Sequence, residues 1–180
     1  MDHEGRIEEY LDAFRELLLP QASLLVGNHS TLARWLLPDW SAERSPTARD
    51  IARAANEYGV PYTLVTGIPL PDQFIDNVLA SPKGAITGEK FERFEAGFVG
   101  AGDTLSAAIA ALLASGEELH MATSEALSFL DQALDSGFRP GMGNVIPDRF
   151  FWALPAPEEG DEDAGADALA DTPPNPRNVH

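Results

Sequence analysis

Cysteine is absent from this chain of 180 residues. Disulfides, thiolate metal sites and thiol nucleophiles are therefore excluded before any pattern is read. Positive charge is scarce too: 12 Lys and Arg face 29 Asp and Glu, a formal net charge of −17. Binding to nucleic-acid phosphates or to an anionic membrane needs basic surface, so neither partner is expected. Long apolar runs are also missing. The longest strongly apolar stretch, Ala107 to Ala114, falls far short of the ~20 residues of a membrane-spanning helix. The opening Met1-Asp2-His3-Glu4 has neither the basic nor the apolar region of a secretory signal. The default expectation is a soluble cytoplasmic protein.

What remains is an ordinary globular composition, 44% apolar and 23% charged, at a length of about one domain of ~150 residues. The acidity is uneven. Residues 158–180 carry seven acidic side chains against the lone base Arg177, hold no aromatic residue, and include Thr172-Pro173-Pro174-Asn175-Pro176. Such a segment buries too little apolar surface to offset chain entropy. It reads as a disordered acidic tail, with 1–157 as the folded body.

The body alternates helix and strand signals. Ile7, Tyr10, Leu11, Phe14, Leu17 and Leu18 recur at helical spacing, with Pro20 beyond the stop. Ser23 to Val26 has the length of a short strand, and a brief helix over Thr31 to Leu37 ends at Pro38. Ser45-Pro46 reads as an N-cap with proline at the first helical position. The helix it opens carries Ile51, Ala52, Ala55 and Tyr58 and closes at Gly59. Tyr62 to Thr66 is a buried-strand run, and Ser81-Pro82-Lys83-Gly84 turns between Ile75–Ala80 and Ala85–Thr87. Lys90 to Phe94 adds a further strand signal. Helices are expected at about Thr104–Ala114 and Glu118–Asp135. Alternation of this kind implies an α/β fold, a sheet covered by helices.

Gly100-Ala101-Gly102-Asp103 is expected where a strand, Phe98-Val99, feeds a helix. Glycines there permit positive φ and let backbone amides approach an anion, while the helix start adds partial positive charge. Asp103 is placed to act as a general base toward a substrate hydroxyl. The plain alternative is structural: aspartate is a favoured N-cap, and Gly-x-Gly is common in turns.

The run Phe98-Val99-Gly100-Ala101-Gly102-Asp103-Thr104-Leu105-Ser106-Ala107-Ala108 resembles the signature of the ribokinase-like small-molecule kinases. It is most similar to the vitamin-kinase branch: hydroxymethylpyrimidine (phosphomethylpyrimidine) kinases, with pyridoxal kinases beside them. Gly137-Phe138-Arg139-Pro140-Gly141-Met142-Gly143-Asn144 and Pro147-Asp148-Arg149 resemble a C-terminal pattern of the same kinases, and Leu64-Val65-Thr66-Gly67 and Leu17-Leu18-Leu19-Pro20 extend the similarity upstream. It covers most of residues 5 to 154.

The resemblance implies a ribokinase-like sheet and transfer of the ATP γ-phosphoryl group to a hydroxymethyl group of a pyrimidine, as in thiamine biosynthesis. A pyridoxal-kinase-like enzyme and a truncated non-catalytic remnant are the alternatives. Asp103 would take the hydroxyl proton, and Gly100, Ala101 and Gly102 would form the anion hole. Asn28, Thr66, Gly67 and Thr104 would face ATP, with Mg²⁺ bridging its phosphates; no metal ligand is assigned. In the family a glutamate stands three residues after the asparagine, and here that position is Thr31. The similarity also begins near the middle of the family pattern, which implies a sheet lacking the N-terminal strands. An open sheet edge would follow, with a homodimer, a second polypeptide or inactivity as the consequences.

Other conspicuous residues read plainly. His3, His29, His120 and His180 show no metal spacing, and Trp35, Trp40 and Trp152 read as packing residues. Arg139 and Arg149 read as loop or surface residues as readily as nucleotide contacts.

Overall fold

The computed structural model describes residues 3–153; the expected acidic tail, 158–180, lies outside the described residues. The elements in order are helix α1 (His3–Ala13), strand β1 (Leu24–Asn28), helices α2 (His29–Leu36) and α3 (Ala48–Glu57), strands β2 (Tyr62–Pro69), β3 (Phe74–Ser81) and β4 (Gly84–Glu92), and helices α4 (Ala101–Ala114) and α5 (Leu119–Asp135). One sheet joins the strands in the order β1-β2-β3-β4. β1 runs parallel to β2, and the remaining pairs are antiparallel. The α2–α3 crossover supplies the connection that a parallel pair needs.

Side-chain alternation along the strands builds the layers. Leu25, Val65 and Ala80 face one way and pack with Leu32, Leu36, Ile51 and Ala55 of α2 and α3. Their neighbours Leu64 and Leu79 face the other way, onto Leu105, Ile109, Ala126 and Leu127 of α4 and α5. A mixed sheet is thus covered on both faces, with one apolar core on each side of it. α2 sits so close on β1 that a Cβ on Gly27 would come within 2.8 Å of the Leu32 side chain.

Five expectations need correction. The N-cap of α3 is Thr47, not Ser45. Thr47 and Asp50 form a reciprocal capping box, which satisfies two amides where a Ser-Pro start satisfies one. Lys90 to Phe94 is no separate strand: β4 runs unbroken to Glu92, and Phe94 leaves it to pack edge-on against Phe98 at 5.5 Å. Phe98-Val99 adds no strand to the sheet; Phe98 makes an isolated parallel bridge with Val145. α4 begins at Ala101, three residues ahead of the expected start.

The first helix departs most. It passes into a π-helical turn at Phe14–Leu18, which rotates the apolar stripe out of register. Phe14 packs on Trp35 at 5.4 Å, but Tyr10 and Leu17 are 71% and 68% exposed, and Ile7 and Leu18 are also exposed. Trp35 is a packing residue as expected, whereas Trp152 is mostly exposed. No helix among the described residues is long and apolar enough to cross a membrane.

Candidate active site

The start of α4 is capped by Gly100 in the left-handed conformation, φ +87°, a backbone state that disfavours a Cβ. The first intrahelical bond runs from the Thr104 amide to the Gly100 carbonyl at 2.9 Å. The amides of Ala101, Gly102 and Asp103 have no hydrogen-bond partner among the described residues. Three donors therefore converge at the positive end of a fourteen-residue helix. A Cβ on Gly102 would meet nothing within 4 Å, so this face of the turn is open.

Asp103 is three residues inside α4, so the structural reading of it as the N-cap is excluded. It is exposed, and its carboxylate makes no hydrogen bond or ion pair among the described residues. Beneath it Thr104 is only 4% exposed. The Thr104 hydroxyl donates to the Gly100 carbonyl at 2.8 Å and accepts from Arg149 Nε at 2.9 Å. The Arg149 guanidinium thereby closes over Gly100, with Nη2 only 3.1 Å from where a Cβ would stand. Asp103, Thr104, Ala107, Ala111, Phe129 and Arg149 line a groove of about 540 Å³ between α4 and α5.

A second group gathers at the carboxyl ends of the parallel strands. Asn28 and Thr66 are register partners across β1 and β2. Asn28 caps α2: its Oδ1 accepts from the Ser30 amide at 3.0 Å and the Ser30 hydroxyl at 2.8 Å. Its Nδ2 lies 2.7 Å from where a Cβ on Gly67 would be, so any side chain there would push the Asn28 amide aside. Gly67 also has φ +65°. The chain bulges there, between the Val65 and Ile68 pairs with β3.

Leu105 and Ile109 pack in one cluster with Leu24, Val26 and Leu64, laying α4 across the β1–β2 pair. No hydrogen bond among the described residues links the Asp103 group to the Asn28 group. Thr31, at the glutamate position, points elsewhere and lines the groove between α1 and α2 with Phe14 and Trp35. His29 Nε2 contacts the Pro46 carbonyl at 2.8 Å, which requires that nitrogen to carry the proton. Among the described residues no group of three or more His, Asp or Glu is placed to hold a metal ion. The amide-rich turn therefore fits phosphate oxygens, while the described side chains form no all-protein cage for a cation.

Sequence reasoning left one participant open and missed another. Arg149 reads as a loop or surface residue as readily as a nucleotide contact, and its link to Thr104 brings it to the turn. Asn77, 4% exposed on β3, was not singled out. Beside Asp76 it is one of two polar residues in the run Ile75–Ala80, and its partner is a backbone amide of another strand, so no local pattern marks it.

The family described as phosphomethylpyrimidine kinase matches residues 3–148. The chloroplastic thiamine biosynthetic bifunctional enzyme of Arabidopsis thaliana is 34% identical over 131 residues, 69% of this chain and 24% of that enzyme. Pyridoxal kinase of Bacillus subtilis, solved as an ADP complex, superposes with a TM-score of 0.70 at 24% identity, over 83% of this chain and 56% of that one. Pyridoxal kinase of Staphylococcus aureus, solved with AMP-PCP and pyridoxal, gives a TM-score of 0.70 at 18% identity, over 81% of this chain and 54% of that one. This chain thus spans little more than half of the solved kinases and about a quarter of the plant enzyme. The structural likenesses carry the ribokinase-like fold.

Proposed function

Because the chain belongs to the phosphomethylpyrimidine kinase family, we propose that it binds ATP and directs its γ-phosphoryl group to the hydroxymethyl oxygen of a pyrimidine, a step of thiamine biosynthesis. The observation that carries this reading is the start of α4, where three unpartnered amides and a free carboxylate share one turn. In the reaction the Asp103 carboxylate takes the hydroxyl proton as the new O–P bond forms. The bond from Pγ to the β,γ-bridging oxygen breaks, and ADP leaves with its electron pair. Charge on the transferred group is met by the Ala101, Gly102 and Asp103 amides, held by the Gly100 turn. Preorganised donors aimed at developing charge are the main resource for phosphoryl transfer. Asn28, Thr66 and Gly67 are assigned to the nucleotide phosphates. Mg²⁺, when bound, would neutralise phosphate charge, held by phosphate oxygens and water, since the described residues offer no group of three His, Asp or Glu side chains to hold it.

Two other readings have specific support. The pyridoxal kinases among the structural neighbours favour a pyridine alcohol as acceptor. Thr31 at the glutamate position favours a nucleotide-binding protein without turnover. Incubating the chain with ATP and either hydroxymethylpyrimidine or pyridoxal, with mass-spectrometric detection of phosphorylated product, separates all three. The expected outcome is a phosphorylated pyrimidine with wild type and none with Asp103→Asn. Wild-type turnover in Asp103→Asn would sink the role given to Asp103. ATP binding without product on either alcohol would favour the non-catalytic reading.

A further inference from the structure

Between the register pairs Val65–Val78 and Ile68–Asp76, β2 contributes two residues, Thr66 and Gly67, where β3 contributes one, Asn77. A two-against-one bulge breaks the ladder and leaves a backbone group to be satisfied elsewhere. Here the side chain of the opposing residue satisfies it. Asn77 Oδ1 accepts the Gly67 amide at 3.0 Å, and Asn77 Nδ2 donates to the Glu89 carbonyl at 3.3 Å. Only one orientation of the amide satisfies both neighbours, because the oxygen must face an N–H and the nitrogen a carbonyl. Asn77 is 4% exposed, so losing either partner would strand a buried polar group.

The anchor extends in both directions. Glu89 is the register partner of Asn77 on β4, and its Oε1 accepts from Ser124 of α5 at 2.7 Å. On the other side Gly67 lies against the Asn28 amide, where a Cβ would stand 2.7 Å from Nδ2 and displace it. The height of Gly67 above the sheet is therefore tied to α5 through β4 and Asn77, and that height fixes where Asn28 Nδ2 can sit. We propose that Asn77 is a positioning residue for nucleotide binding: it holds the Thr66–Gly67 bulge under Asn28 and does not itself touch ATP. This inference rests on the assignment of Thr66 and Gly67 to the ATP phosphates.

The test compares Mg-ATP affinity by calorimetry with melting temperature in the full chain. Asn77→Leu keeps the branching and heavy-atom count of the side chain and loses both hydrogen bonds; it should weaken ATP binding about ten-fold, the cost of one well-made hydrogen bond. Asn77→Asp keeps an acceptor for the Gly67 amide but sets an oxygen against the Glu89 carbonyl, so it should recover part of that affinity while lowering the melting temperature. Leu130→Ala, in the α4–α5 core, should lower the melting temperature with unchanged affinity, separating positioning from stability. Wild-type affinity in Asn77→Leu overturns the proposal while leaving the nucleotide assignment intact. Absence of ATP binding in wild type removes that assignment and the proposal with it. Amide hydrogen exchange on wild type needs no variant: Gly67 should be protected like its ladder neighbours, and loop-like exchange there overturns the anchor.

Discussion

Two glycines two residues apart have opposite reasons for being glycine. Gly100 needs its positive φ and sits against Arg149, so Gly100→Ala should cost about 1–3 kcal/mol of stability, the usual range for a forced left-handed residue. Gly102 has helical geometry and open space around it. Gly102→Ala should therefore stabilise α4 by about 0.5–1 kcal/mol, the propensity difference. Its methyl would stand on the face proposed to receive phosphate, so ATP affinity should fall as the melting temperature rises. Thermal melts and calorimetry on the two variants read both signs. At this scale the sequence identified Gly100 and Asp103 but misjudged how they are arranged. Gly-Ala-Gly lowers helix propensity, so the helix was expected only from Thr104, and the aspartate's place inside the first turn was hidden. Asn77 stayed hidden because the Gly67 amide needs a side-chain partner only once the bulge takes it out of the ladder.

Among the elements, α3 and α5 shift a carboxyl group in opposite directions. In the α3 cap, the Arg44 guanidinium 2.8 Å from Asp50 is the main cause that holds its carboxyl well below the usual carboxylate range, with the Thr47 bonds adding to it. The folded state thus binds fewer protons than the unfolded chain near that range. The contribution of Asp50 should be intact above its ordinary pKa of 3.8 and be lost as pH falls below it. Melting temperatures of wild type and Asp50→Asn should accordingly converge in acid. In α5, burial and then the neighbouring Asp135 raise the pKa of Asp131. Its charged form is disfavoured in the fold, so Asp131→Asn should stabilise the protein at neutral pH. About 0.2–0.5 kcal/mol is expected from relieving the like-charge pair four residues apart, and acid melts in which Asp131 is protonated should erase the gain. Element identity was legible wherever periodicity ran long, as in α5. The Ser45-Pro46 start misled because a local N-cap pattern competed with a reciprocal one two residues later. The π-helical turn left no local mark, and it decides which side chains of the first helix face outward.

At the scale of the molecule the two cores share only the sheet, so a cavity in either acts through β2 and β3. Leu79 is fully buried against α4 and α5, and Leu79→Ala should cost about 2–5 kcal/mol, measured by denaturant unfolding. A layered α/β arrangement was legible from alternation alone; the strand order was not, because pairing partners leave no periodicity in the chain. That order separates two kinds of assembly step. β2, β3 and β4 form a meander closed by short turns, whereas β1 reaches β2 only across residues 29–61. Loop-closure entropy makes such a non-local parallel pairing the slower event in folding. Gly67 and its Asn77 anchor belong to the fast meander, and Asn28 arrives with the late strand. In a refolding experiment the capacity to hold ATP should then appear after most of the secondary-structure signal, when the first strand of the sheet takes its place.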